Sequence, residues 1–491
     1  MKTHRRRARR ILSRKAAGVM GAAVACLVLG LAQAQTVEEQ PATFRVHPEV
    51  TYQTMTGFGA GYYQNSLDDI NAVKAEDRDQ VYELLYGEKG VRLNIVRFHI
   101  SWSAEPLPEG HPLRAQGLHY NWENDLHTQN VWKAIAPILK RTKPIIYAVP
   151  FTAPGRWKTN QQPNFGGSVL PEYYRHYAEY LADFVDYYRK VLHVDIGILS
   201  PQNEPDVAVY WESCRWTGTE LRDFLNVLGP TFRARGLETK FMLSEGSTWD
   251  QAWIRLEPTL RDPAARVFLN IMASHSYGDD DLVDNGRALF RAASGKHGIP
   301  VWMSEMSLIG LPDDPSMWSA LRIAHYMYRD IVEAHASAWI YCFSIFTSKF
   351  PGSMGVLSPA KEGELVVPKR FWTFANYSHF VRPGWTRMQI DGISFANTGF
   401  VNPERSRFVI VALNASANGR PATYDFGDWT IAAVEAYRTS KDLDLARVEA
   451  PTLRAHAFNV TLAPLSVTTL VGELRRGPTH GAAKPEPKAQ P

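Results

Sequence analysis

The sequence predicts an α/β fold: a (β/α)8 barrel followed by a smaller C-terminal β-sandwich. Three observations carry that prediction. Between about residues 50 and 350, short apolar runs rich in β-branched residues alternate with amphipathic stretches of helical length. The short runs are mostly continuous in hydrophobicity rather than alternating, as expected of parallel strands covered on both faces. After about Pro383 the pattern changes to short alternating strands, such as Arg407 to Leu413, Trp429 to Tyr437 and Phe458 to Leu462, separated by Gly, Asn, Asp and Pro turns.

The 491-residue chain opens on a basic stretch from Lys2 to Lys15, an apolar run from Ala16 to Leu31, and Ala32-Gln33-Ala34, a small-residue cleavage site. Residues 1–34 therefore read as a signal peptide, and the mature protein is expected to be secreted or periplasmic. The apolar run is short for a membrane span, so no membrane partner is expected of the mature form. The leader holds eight Lys/Arg and no Asp/Glu, so the formal charge of +4 for the whole chain becomes −4 without it. The basic balance belongs to the leader, and nothing in the remainder favours nucleic acid or anionic lipid. Cys26 leaves with the leader, and Cys214 and Cys342 are too few for a disulfide scaffold and are expected as free thiols. The mature chain is expected to be a monomer.

Residues 35–50 are strand-like and are expected to pair with the C-terminal sheet. The barrel is assigned to residues 51–383. Its strands are expected at Met55 to Gly61, Val91 to Ile100, Pro144 to Phe151, Asp195 to Ser200, Lys240 to Ser244, Phe268 to His275, Pro300 to Ser304 and Ala338 to Phe343. Helices fit between them. Glu172 to Lys190 places Tyr173, Tyr177, Tyr180, Leu181, Phe184 and Tyr188 on one broad stripe. Thr219 to Leu228 and Met317 to Ala334 read the same way, and Thr217 to Glu220 has the spacing of a capping box. The sandwich is assigned to residues 384–473, and the Pro-, Ala- and Lys-rich residues 474–491 to a disordered tail.

A barrel of this kind carries its active site where strands run into the following loops. Two glutamates stand there: Glu204 in Ser200-Pro201-Gln202-Asn203-Glu204-Pro205 after the fourth barrel strand, and Glu305 at the end of Val301-Trp302-Met303-Ser304 on the seventh. Glycoside cleavage needs a proton donor for the departing oxygen and a carboxylate on the other side of the anomeric carbon, and two rim glutamates supply both. A rim glutamate taken singly is as readily a salt-bridge partner. No His pair stands at i,i+4 with a following acid and no Gly-rich phosphate loop occurs, so no metal and no cofactor are expected.

Gly57-Phe58-Gly59-Ala60, Ser200 to Asp206, Trp302 to Glu305, Phe380-Val381-Arg382-Pro383-Gly384 and Pro464 to Val471 occur in that order along nearly all of the mature chain. Through them the chain resembles glycoside hydrolase family 30, retaining (β/α)8 enzymes with a side β-sandwich. The resemblance implies Glu204 as general acid/base, Glu305 as nucleophile and Asn203 as a hydrogen-bond partner of the sugar 2-hydroxyl. Trp157, in Ala153-Pro154-Gly155-Arg156-Trp157, resembles the family segment that walls the sugar site.

Other rim positions are read from their places. Arg97 ends the second strand, where it can pair with the nucleophile or form a structural ion pair. His275 and Tyr277 end the sixth strand, within reach of the nucleophile, although a core histidine has the same signature. Trp102, Trp211 and Trp216 lie in rim loops and offer either sugar-stacking faces or packing. Glu245, ending the fifth strand, is the rival carboxylate and is expected to support the site or contact substrate. At the eighth strand the family often carries tryptophan, whereas here Tyr341 or Cys342 falls near that position.

The expected substrate is a β-linked polysaccharide attacked internally, with xylan or glucuronoxylan first; the resemblance also covers β-1,6-glucan, β-1,6-galactan and glucosylceramide. A carbohydrate-binding protein without catalysis would have lost one of the glutamates, and both are present. A lipid-directed enzyme would need an apolar docking patch, and no clear one is evident in the sequence.

Overall fold

The computed structural model describes residues 41–278, 285–309, 313–347, 352–392 and 394–476. The leader and all but the first residues of the C-terminal tail lie outside the described residues.

The chain enters on β1 (Ala42–Thr54) and passes at once into the barrel. The barrel strands are β2 (Gly57–Tyr62), β3 (Ile95–Ile100), β4 (Ile145–Pro150), β5 (Ile198–Leu199), β6 (Lys240–Gly246), β7 (Leu269–His275) and β8 (Val301–Met306). After the short β9 (Leu308–Ile309), β10 (Ala336–Tyr341) closes the ring between β8 and β2. All eight pairings are parallel. Each matches one expected strand, with the first four residues of Val91 to Ile100 and the first three of Asp195 to Ser200 left outside the sheet. The interior is filled by Ile95, Tyr147, Val149, Ile198, Met242, Ile271, Ala273, Trp302, Ala338 and Ile340, the inward positions of successive strands.

Helices clad the outside. Tyr174–Lys190 buries the expected Tyr, Leu and Phe stripe, and the capping box forms at the start of Gly218–Ala234: the Glu220 carboxylate accepts from the Thr217 amide at 2.7 Å, and the Glu220 amide donates to Thr217 Oγ1 at 3.2 Å. Among the described residues no helix is long and apolar enough to cross a membrane.

Short strands β11 (Phe343–Ile345), β12 (Gly352–Ser353), β13 (Gly355–Pro359) and β14 (Leu365–Val366) follow the barrel. The C-terminal sheet then forms from β15 (Thr386–Asp391), β16 (Asn397–Val401), β17 (Arg407–Asn414), β18 (Arg420–Asp425), β19 (Trp429–Thr439), β20 (Ala446–Val448), β21 (Thr452–Leu453), β22 (Ala457–Leu462) and β23 (Ser466–Arg476). Its hydrogen-bonded order is β20-β19-β23-β17-β16-β15-β1-β18-β22-β21. The ladder folds over a shared core of Phe44, Met388, Phe408, Tyr424, Phe458 and Leu470, which makes it a sandwich.

β1 is the keystone of that sheet: it pairs antiparallel with β15 and parallel with β18, and Phe44 stacks on Tyr424 with ring centroids 5.3 Å apart. The barrel is tied on through Asn376, whose Nδ2 donates to Thr469 Oγ1 at 2.8 Å while its carbonyl accepts from the same hydroxyl. From Pro41 onward the chain forms one unit. A chain truncated at Arg382 would leave Phe44 and Val46 of β1 without a sheet, each such side chain being worth about 1.5–3 kcal/mol buried. It is expected to be poorly soluble, and a melting curve matching that of the full chain would show the sandwich to be an independent appendage.

Candidate active site

The two glutamates reach one site by different backbone devices. Glu204 stands in the loop after β5, which is tacked to the strands on either side: the Asn203 amide donates to Pro150 O at 2.9 Å and the Glu204 amide to Glu245 O at 3.0 Å. Glu204 itself adopts φ +42°, an uncommon conformation for a side-chain-bearing residue and one disfavoured further by the proline that follows.

Glu305 depends on a register shift. Trp302 faces the barrel interior, so strict alternation along β8 would turn Glu305 outward. The pairing runs Ala273↔Trp302, Ser274↔Met303 and then His275↔Glu305, skipping Ser304. That extra residue is a β-bulge, and it brings Glu305 to the inward side. A matching shift in β6 pairs Ser244 with Ala273 and Gly246 with Ser274; the residue skipped is Glu245, at φ +53°. Both bulges deliver a carboxylate into the centre.

Around these groups the charges interlock. Arg97 is wholly buried, with one guanidinium nitrogen 2.6 Å from Glu305 Oε2, another 3.8 Å from Glu245 Oε1, and a donated bond to Asn203 Oδ1 at 2.5 Å. Tyr277 Oη donates to Glu305 Oε1 at 2.7 Å. His275 Nδ1 lies 3.1 Å from Glu204 Oε1 and 3.9 Å from Glu305 Oε1, while its Nε2 is 3.6 Å from Glu245 Oε1. Tyr147 donates to Glu245 from below. One oxygen each of Glu204 and Glu305 and one nitrogen of His275 all lie within 4.8 Å of one another. Glu305 Oε1 is held there by Tyr277, and Glu204 Oε1 lies on His275.

The protonation pattern follows from this crowding. Burial opposes charge on His275, but Glu305, Glu204 and Glu245 overcome it and lift the imidazole to about 10. Burial likewise raises Glu245, yet His275, Arg97 and Tyr147 bring it down to about 2. Burial pushes the Glu204 carboxyl above its ordinary value against the pull of His275, with the Glu305 charge adding to the rise. The Glu204 side chain, 18% exposed, is the most open of the three carboxyl groups.

The structure brings Arg97, Asn203, Glu204, Glu245, His275, Tyr277 and Glu305 together. Glu245 is fully buried beneath the pair, against Arg97, His275 and Tyr147. Trp157 is 6% exposed and packed among Tyr173, His176, Tyr177 and Tyr180, so it backs the site more than it faces solvent. Trp216 is core, donating to Gln202 Oε1. Trp211 is 43% exposed beside Tyr210, and Trp102 is half-buried next to His127.

Of the two residues at the end of the eighth barrel strand, Tyr341 turns to the helix layer and donates to Ser353 O at 2.8 Å, whereas Cys342 faces the site, where burial and the Glu305 charge push its thiol up. Both cysteines are free and buried. Tyr147 and His99 escaped the sequence reading; their signal is a polar ring at an inward position of a strand otherwise covered on both faces.

Residues 55–289 match the model of the glycosyl hydrolase family 30 TIM-barrel domain. The chain is 24% identical over 434 residues to Glucuronoxylanase XynC of Bacillus subtilis, covering 87% of this chain and 90% of that one. It is 22% identical over 405 residues to Putative glucosylceramidase 2 of Caenorhabditis elegans, covering 75% and 76%. Among solved structures, the catalytic domain of the GH30 xylanase C from Talaromyces cellulolyticus superposes with a TM-score of 0.74 at 23% identity, covering 88% of this chain and 99% of that one.

Proposed function

As the chain carries the glycosyl hydrolase family 30 barrel and is a glycoside hydrolase, we propose that it cleaves a β-linked polysaccharide, xylan or glucuronoxylan first, with retention of configuration. The observation that carries the mechanism is the approach of Glu204 and Glu305 oxygens within 4.8 Å. Retaining enzymes hold their carboxyl groups about 5–5.5 Å apart, whereas inverting ones leave about 6.5–9.5 Å for a water.

Glu305, aimed by Arg97 and Tyr277, attacks the anomeric carbon as Glu204 gives its proton to the leaving oxygen. Glu204, now ionised beside cationic His275, then takes a proton from the water that releases the sugar. Asn203 spends its carbonyl on Arg97, which leaves its Nδ2 to donate to the 2-hydroxyl, a contact that strengthens in the transition state. The xylan assignment is supported by the names of the similar xylanases. Incubation with xylan, glucuronoxylan, β-1,6-glucan and β-1,6-galactan, followed by product sizing, is expected to give fastest cleavage of the xylans; preference for a 1,6-linked polymer would overturn the substrate.

The leader supports export. The mature protein is expected to begin at Gln35, which intact-mass measurement on secreted material checks; a membrane-bound product retaining Met1 would contradict it.

A further inference from the structure

The segment from Pro205 to Trp216 separates the acid from the next helix and is longer than the two to six residues usual for such a connection. Its neck closes where the Trp216 amide donates to Pro205 O at 2.9 Å, and near its start the Ser247 amide donates to Asp206 Oδ1 at 2.9 Å. From there it arcs away from its own strand. It pairs with the loop after β4, the Phe165 amide donating to Val209 O at 2.7 Å and Asn164 Nδ2 to Tyr210 O at 2.9 Å. It ends on the rim of β2, where Gln64 Nε2 donates to Glu212 Oε1 at 3.0 Å. The loop therefore bridges the rim from β5 to β2, over the ends of β3 and β4.

Beneath the bridge lies a crevice bounded by Gln64, His99, Ser101, Trp102, Phe151 and Glu212, with a volume of about 10 Å³. That is room for one water and no sugar ring. On the other side of Glu204, a cavity of about 340 Å³ opens between Ser247, Tyr277 and Met306. Among the described residues the cleft is closed at one end and open at the other.

The closed end is assigned to the glycone, the side of the bond that keeps the anomeric carbon. Asn203, the 2-hydroxyl partner, is bonded to Arg97, and the Arg97 guanidinium lies 5.8 Å from the centre of the Phe151 ring that walls the crevice. A sugar whose 2-hydroxyl meets Asn203 would have the crevice on the side of its remaining hydroxyls. Two buried polar atoms there have no partner among the described residues: His99 Nε2, on a side chain packed 3.5 Å from the Phe151 ring and 9% exposed, and Trp102 Nε1. A buried polar atom left unpaired costs roughly 1–3 kcal/mol, which a sugar hydroxyl entering the crevice would recover.

We propose that the Gln64–Glu212 bridge ends the glycone side of the cleft, so that the enzyme cuts from a chain end and releases single sugars, with His99 and Trp102 receiving the hydroxyls of the terminal unit. The proposal departs from the internal attack expected from the sequence, and it rests on the glycosidase reading above. The test sizes products from the polysaccharide cleaved fastest in the panel while following viscosity. The wild-type protein gives monosaccharide from the first time points, with little viscosity lost per reducing end formed. Glu212→Ala opens the bridge, so longer products appear and viscosity falls faster per bond cut. Glu212→Gln still accepts from Gln64 and retains the wild-type products. A ladder of random lengths from wild-type protein, which requires no variant to fold, overturns the proposal while leaving the glycosidase reading intact. Short products unaltered in Glu212→Ala overturn the role of the bridge. Failure to cleave any polysaccharide or aryl glycoside would instead overturn the earlier reading.

Discussion

Replacing Glu305 by Ala is expected to abolish turnover of every substrate, activated aryl glycosides included, by on the order of 10^5-fold in kcat, the scale on which nucleophile removal acts in covalent catalysis. The size of the loss follows from the site's construction. Arg97 and Tyr277 are spent on aiming one carboxylate, and the rival, Glu245, is buried beneath the pair with Tyr147, Arg97 and His275 against it. Among the described residues no other carboxylate is placed to reach the anomeric carbon. The substitution also strands a buried guanidinium, which costs about 3–5 kcal/mol when its partner is simply removed. Glu305→Gln serves as the control, because its amide oxygen still accepts from Tyr277. Loss of activity in Glu305→Gln with a melting temperature near that of wild type assigns the effect to chemistry; substantial activity in either variant would remove Glu305 as the nucleophile.

The barrel was legible because each strand is a short apolar run with both faces covered, a pattern that survives one- or two-residue errors at the ends. The site was legible only in part. Rim position and the Asn-Glu-Pro context located Glu204, but strict alternation from inward-facing Trp302 would have pointed Glu305 away from it. Only the skipped Ser304 turns it in, and a bulge has no hydrophobic signature of its own. Glu245, named from its place at the end of the fifth strand, is likewise turned in by a bulge that alternation does not show. The tryptophans were ambiguous because a rim loop can either present a ring or bury it: Trp211 is presented, whereas Trp216 and Trp157 are buried. The reach of Glu212 to Gln64 spans 148 positions in the chain, and no local pattern encodes such a contact.

Glu204→Ala is expected to behave unlike any Glu305 variant, and the contrast separates their roles. Without the acid, a natural polysaccharide, whose leaving alcohol must be protonated, should lose on the order of 10^2–10^4-fold in kcat. An aryl glycoside with an acidic phenol needs little protonation, so Glu305 should still displace it and form the glycosyl-enzyme. Hydrolysis of that intermediate then stalls for lack of a base, giving a burst of phenol followed by a slow phase. Azide, which needs no deprotonation, should restore turnover and yield a glycosyl azide of β configuration. The pH profile carries the same assignment. A donor must hold its proton, so wild-type kcat/KM on polysaccharide falls as pH rises through the Glu204 pKa, and burial sets that limb above the ordinary carboxylate range. In Glu204→Ala that alkaline limb should vanish for the aryl substrate. Proton NMR of the wild-type reaction should show the β-anomer first. Early appearance of the α-anomer, or a Glu204→Ala profile that retains the limb, would mean that another group carries the proton and that the two carboxylates do not work as a retaining pair.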